Sequence, residues 1–321
     1  MEFSGCLLDP AIRDATAVDL IAAGKQPICA DNAGIKGAWA RAKARGVVAV
    51  MLPPLMRKYF PGRKNDFQLG HRPPRPDSDH GTCVSRGTYR GCMLTMLRQI
   101  DEQQIVGKPV VLSYEFIYGY GRTIVGRSQL GTSGGMYGGW AAKVASLTGI
   151  PQRAKYESVD LSKDDPIGQT ALARVWGTNR KGPPQDVIDA AKGHTFDAHL
   201  ANTPEEVADC LASGFAGAFS RSWAGEGARD KNGMVRPSPS AHCETLAGVF
   251  VAANGETGFL HWQSWGENTP SGNNRLQLGD GSEYLLSPGE YGVYESDMVK
   301  AFRSGDAESW HFECREGSQW R

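Results

Sequence analysis

Hydrophobic positions in the first part of the chain recur with gaps of three and four residues, and towards the end they gather into short runs of strand length. From Cys83 onward, Val84, Tyr89, Met93, Leu94 and Leu97 supply the apolar positions of a helix, with Thr82 or nearby Asp79 as its cap. Val110 to Ser113 leads into a second helix through Glu115, Phe116 and Tyr118, and residues 140–144 read as a packed helix. Residues 183–191 and 204–211 make two more, the latter with Thr203 at the cap and Glu205 and Glu206 in the first turn. Upstream, residues 18–23 and 35–50 form short helical stretches. Ala38, Trp39, Ala42 and Val47 give the second a rough apolar face, and Pro53 and Pro54 end it. After Gly214 the pattern changes. Residues 216–223, 245–252, 258–265 and 291–294 are predicted strands, and Asn254-Gly255 signals a hairpin between two of them.

The order of elements predicts an α+β protein with a mainly helical lobe over residues 76–198 and a mainly β lobe over 199–321. Residues 1–75 form an N-terminal extension, read either as a pro-segment covering a cleft or as a structural arm that binds a neighbouring protein. Composition narrows the function classes. With 40% apolar and 22% charged residues the chain has an ordinary globular composition, and 35 basic residues balance 35 acidic ones, so no nucleic-acid partner is expected. The basic stretch from Arg57 to Arg75 is broken by Pro61, Pro73 and Pro74 and reads as a solvated connector. No apolar run approaches the roughly 18 residues of a membrane span, and the start lacks a basic region followed by an apolar core. Seven scattered cysteines without a CxxC pair argue against a zinc ribbon and for a reducing, cytoplasmic setting. The glycine-rich run from Gly131 to Gly139 lacks the Lys-Ser/Thr ending of a phosphate loop and reads as a tight loop lining a substrate groove. No metal or cofactor is implied.

Three residues offer chemistry. Cys83 begins a helix, His242 lies in Ser240-Ala241-His242-Cys243, and Gln263 lies in Trp262-Gln263-Ser264-Trp265-Gly266. A thiol is mostly protonated at neutral pH, and a helix N-terminus and an adjacent imidazole both favour the thiolate. The imidazole then returns a proton to the leaving group, while an uncharged amide holds the ring. Trp262 and Trp265 offer apolar cover for that bond. His261 is the rival base. Taken singly, Cys83 also suits a small buried hydrophobe, and His242 a hydrogen-bonded structural histidine.

In this order the motifs resemble those of the papain-like cysteine peptidases, from about residue 76 to the C-terminus. Gly81-Thr82-Cys83-Val84 is similar to the helix-starting nucleophile segment, with Val84 where the family often has an aromatic. Leu112-Ser113-Tyr114-Glu115 resembles its Leu-Ser-x-Gln/Glu helix start, and Gly134-Gly135-Met136-Tyr137 its Gly-Gly substrate loop. Ala241-His242 looks like the catalytic histidine at a strand start, Gln263-Ser264-Trp265-Gly266 like the Asn-Ser-Trp-Gly motif, and Gly289-Glu290-Tyr291-Gly292 like the later Gly-Glu-Asn-Gly turn. The resemblance implies a helical lobe followed by an antiparallel, β-barrel-like lobe, with a groove between them. Peptide bonds would be cleaved there through a Cys83 thioester, with Gly134, Gly135, Tyr137 and Trp265 lining the groove. Two positions depart from the family. Asp77 stands where a glutamine of the oxyanion hole is usual, which leaves His80, or more distantly Gln68, as donor, and Gln263 replaces asparagine. These departures leave open a non-catalytic structural or binding module on the same scaffold, including one within a viral particle.

Overall fold

The structure, a computed structural model, describes residues 6–61, 81–163, 166–225, 227–264, 270–305 and 307–315. Its helices are α1 (Pro10–Ala22), α2 (Ala38–Ala44), α3 (Pro53–Tyr59), α4 (Cys83–Asp101), α5 (Tyr114–Tyr120), α6 (Gly138–Lys143), α7 (Pro166–Thr178), α8 (Gln185–Ala191), α9 (Pro204–Ala212) and α10 (Glu295–Arg303). Its strands are β1 (Cys6–Leu7), β2 (Ala49–Met51), β3 (Met136–Tyr137), β4 (Phe196–Ala201), β5 (Gly217–Ala224), β6 (Ser238–Val251), β7 (Thr257–Trp262), β8 (Arg275–Gln277), β9 (Glu283–Leu285), β10 (Glu290–Tyr294) and β11 (Ala307–Cys314). No helix among the described residues is long and apolar enough to cross a membrane.

The helix at Cys83 is the spine. Val84, Tyr89, Met93, Leu94 and Leu97 are buried as the pattern required, but so are Arg86, Arg90 and Thr95, because α4 is enclosed rather than amphipathic. Two glycines set how closely it lies on the sheet. A Cβ on Gly87 would stand 2.9 Å from Cys243 Sγ, and one on Gly91 would stand 3.2 Å from the Gly217 carbonyl carbon. A side chain at Gly87 would force a neighbour to shift, and one at Gly91 would need its neighbours to give by a few tenths of an ångström.

The main sheet has the strand order β10-β7-β6-β5-β11-β4, with β2 beside β6 where β5 has ended, and every pairing is antiparallel. Cys243, Ala247, Leu260, Trp262, Ala218 and Phe312 pack on the α4 side. Leu246, Val249, Phe259, Phe219 and Val293 pack on the other side with residues of α2, α9 and α10. The sheet is therefore sandwiched between helices. It stays open, which corrects the barrel-like closure that the resemblance implies. The outer side of β4 is taken by the N-terminal segment, where Ile28 bridges Leu200 in parallel and Lys25 pairs with Asp197 at 2.6 Å.

The Asn254-Gly255 hairpin forms as expected, with Gly255 at φ 85° and Ala252 N–H donating to Glu256 O at 2.8 Å. Pro53 and Pro54 open α3 instead of ending the helix before them, because a missing N–H costs nothing in a first turn. The stretch predicted as helix over 35–50 splits into α2 and β2. Residues 6–61 thus contribute strands, helices and core side chains, among them Leu52 and Met56.

Candidate functional site

Cys83 is the first residue of α4 and has no exposed surface. Thr82 takes the N-cap position, but its hydroxyl accepts from Arg86 Nε at 3.3 Å instead of capping the first turn. Asp79, the other candidate cap, lies outside the described residues. Arg86 goes on to bond Tyr114 Oη at 2.6 Å and Thr170 Oγ1 at 2.9 Å, which ties the start of α4 to α5 and α7. Tyr118 lies within electrostatic reach of the thiol. Burial pushes its hydroxyl pKa up, Arg122 pulls it back, and Cys83 adds to the push.

His242 lies in β6 directly across from Arg221 of β5 and is fully buried. Its neighbour Cys243 meets α4 at Gly87, and Thr245 Oγ1 donates to Gly87 O at 3.4 Å. The α4–β6 crossing therefore falls one helical turn from Cys83 and one residue from His242. Gln263 follows β7, the strand on the other side of β6. Its backbone is fixed at both ends: its N–H donates to Gly289 O at 3.0 Å, and its carbonyl accepts from Arg90 Nη1 at 2.9 Å. Its side chain does not bond His242 through Oε1. The amide Nε2 donates to Gly225 O at 3.3 Å, and the buried Oε1 receives no hydrogen bond from the described residues.

The proposed groove loop is built around Arg122, which sequence reasoning missed. Its guanidinium donates to the carbonyls of Gly131 at 3.0 Å, Ser133 at 2.5 Å and Gly177 at 3.2 Å, and also to that of Gly135. Gly135, at φ 92°, needs glycine there. Gly134 precedes it, and Tyr137 stands edge-on to Trp140 with ring centroids 4.8 Å apart. The edge of β3 is already occupied. Cys6 and Leu7 pair with Met136 and Tyr137 in parallel. Cys6 is buried with its thiol bonded to Ser220, and burial, the largest influence, pushes its pKa up to about 12. Below this strand, burial holds the Glu308 carboxyl up at about 7, against the pull of its bond to Trp310 Nε1. Asp77, His80, Gln68 and Trp265 lie outside the described residues.

A second buried constellation also went unread. Glu244 Oε2 accepts from Arg221 Nη2 and from His261 Nδ1, the latter at 3.0 Å, while Glu244 Oε1 accepts from Tyr291 Oη. Burial raises the Glu244 pKa, but Arg221 and His261 outweigh it and hold the carboxylate well below its usual range. Burial, reinforced by Arg221, lowers His261 to about 4 in spite of Glu244, so the ring is neutral at pH 7. It stacks on Tyr291 with centroids 5.5 Å apart. His261 is thus a buried, neutral partner of the Arg221–Glu244 ion pair. A charge two residues from His242 carries no local sign in the sequence that it is buried. Among the described residues no group of three or more His, Cys, Asp or Glu side chains is arranged to hold a metal ion.

No protein-family model matches the chain, and no curated protein matches it in sequence. Its fold is similar to that of several solved structures. Xylellain, a cysteine protease from Xylella fastidiosa, aligns at 15% identity and a TM-score of 0.48, over 74% of this chain and 81% of that one. Digestive procathepsin L 3 of Tenebrio molitor larval midgut aligns at 12% identity and a TM-score of 0.46, over 82% and 69%. The bromelain protease of Ananas comosus, in complex with the E64 inhibitor, aligns at 10% identity and a TM-score of 0.44, over 83% and 99%. At these values the likeness is loose.

Proposed function

We propose that the chain is a cysteine peptidase that hydrolyses peptide bonds of peptide or protein substrates through a Cys83 thioester. The observation that carries the reading is the placement of Cys83 at the start of a buried helix that crosses β6 within one turn of the thiol and one residue of His242. In this reading the Cys83 thiolate attacks the substrate carbonyl carbon, and the Cys83 N–H, with a donor from the segment at 77–80, holds the oxyanion. His242 protonates the leaving amine, then takes a proton from the water that releases the acyl group. Gln263 orients the imidazole, and Gly134, Gly135, Tyr137 and Trp265 line the groove.

An electrophilic peptide probe tests this directly. Wild-type protein is expected to be labelled between pH 5 and 8, and folded Cys83→Ala protein is not. Equal labelling of both, or of neither, sinks the reading. The complete burial of Cys83 favours a second one, a structural or binding module on the same scaffold with assembly partners reached through residues 1–75. That reading expects no labelling at Cys83 and unchanged assembly after Cys83→Ser.

A further inference from the structure

Gln263 is a longer amide than the asparagine of the resembling motif, and an extra methylene loosens an orienter unless something fixes it. The structure contains a device that does so. Glu244, Arg221 and Tyr291 are fully or almost fully buried. The Tyr291 hydroxyl gives its proton to Glu244 Oε1 and accepts two bonds, one from Arg221 Nη2 at 2.9 Å and one from Gly225 N–H at 3.1 Å. One donor and two acceptor positions are all that a phenol has, so its orientation is fully determined. Gly225 lies against the ring so closely that a Cβ there would come within 2.1 Å of Tyr291 Cζ. The carbonyl of this clamped glycine accepts the Gln263 side-chain N–H at 3.3 Å. With Nε2 committed to Gly225 and the backbone pinned by Gly289 and Arg90, Oε1 is the atom left over. It is buried and receives no hydrogen bond from the described residues.

We propose that Tyr291, braced by Glu244 and Arg221, is a positioning residue that acts through Gly225 to hold the Gln263 amide with Oε1 as the acceptor offered to the His242 imidazole. The inference rests on the peptidase reading and adds to it a route by which an ion pair that touches no substrate controls the base. It also accounts for a tyrosine whose hydroxyl makes three buried bonds beside a loop glycine that tolerates no side chain.

The test is a double-mutant cycle on the rate of Cys83 labelling by the peptide probe, measured across pH 5 to 8. Tyr291→Phe removes only the hydroxyl. It is expected to slow labelling about tenfold and to shift the pH profile, the effect of losing roughly one hydrogen bond's worth of orientation. In a Gln263→Ala background the same change is expected to have no further effect, whereas a purely structural tyrosine would add its penalty in both backgrounds. Equal effects in both backgrounds, or none in wild type, overturn the inference while leaving the peptidase reading intact. Wild-type protein that is not labelled at Cys83 overturns both. A readout that needs no variant is hydrogen exchange of the Gln263 carboxamide in the wild-type protein. Slow exchange is expected of a bonded, buried amide, and exchange at the rate of an exposed one refutes the clamp.

Discussion

Gly87→Ala probes the closest approach of α4 to the sheet. In an exposed helix the change stabilises by about 0.5–1 kcal/mol, because alanine loses less backbone entropy on folding. Here the new methyl would meet Cys243 Sγ at 2.9 Å and the Glu244 carbonyl oxygen at 3.3 Å. The sulfur is a single atom on one rotatable bond, but Cys243 is buried in the core and hydrogen-bonded to Ser220, which opposes its turning. Overfilling a packed core costs about 1–3 kcal/mol. Subtracting the propensity gain leaves a net loss on the order of 1–2 kcal/mol. Urea unfolding followed by tryptophan fluorescence reads this as a lower midpoint at unchanged slope. Removing the sulfur should relieve the clash, so Gly87→Ala is expected to cost little or nothing in a Cys243→Ala background. A Gly87→Ala protein more stable than wild type, or one equally destabilised in both backgrounds, would refute the close crossing on which the proposed peptidase reading rests.

Acid should weaken the fold. The unfolded imidazoles of His194, His261 and His311 titrate near 6.5, whereas burial holds all three at about 4 in the folded protein. Between those values the unfolded chain takes up protons that the native state refuses, so stability is lost as pH falls from about 6.5 towards 4. Glu308 works the other way. Its folded pKa near 7 gives stability that is present below the usual carboxylate value and lost as pH rises through 7, so Glu308→Gln should steepen the acid loss. Urea midpoints at pH 7.5 and 5 decide the sign, and a midpoint that does not drop at pH 5 contradicts it. Deleting residues 1–8 removes β1 and bares the β3 edge, and the rate of Cys83 labelling is expected to rise. An unchanged rate in a folded deletion protein argues against β3 as part of the substrate groove.

Local chemistry made part of this architecture legible. The 254–255 turn, the Thr203 cap, whose hydroxyl accepts from Glu206 N–H at 3.2 Å, and the apolar positions of α4 are all written in neighbouring residues. Strands β4 and β11 were not. Both are buried almost throughout, and they carry His199, Glu308, Ser309 and His311 where an alternating pattern would have apolar residues. His199 and His311 find partners in distant segments, Glu313 at 3.1 Å and Phe215 O at 2.8 Å, while Glu308 and Ser309 bond Trp310 and His311 within β11, so the strands have no period to detect. Among the candidate site residues, Cys83, His242 and Gln263 stood out by motif. Arg122, Glu244 and Tyr291 did not, since a charged or phenolic side chain reads as solvated until its buried partners are known.

The pairing of Cys6 and Leu7 with Met136 and Tyr137 has a consequence for any ligand that recognises the same edge. A strand tethered to its own sheet competes at an effective concentration in the millimolar range for a short flexible link. A free peptide that adds to this edge must first displace that internal rival. Its apparent affinity is diluted by the small fraction of molecules in which the rival has let go.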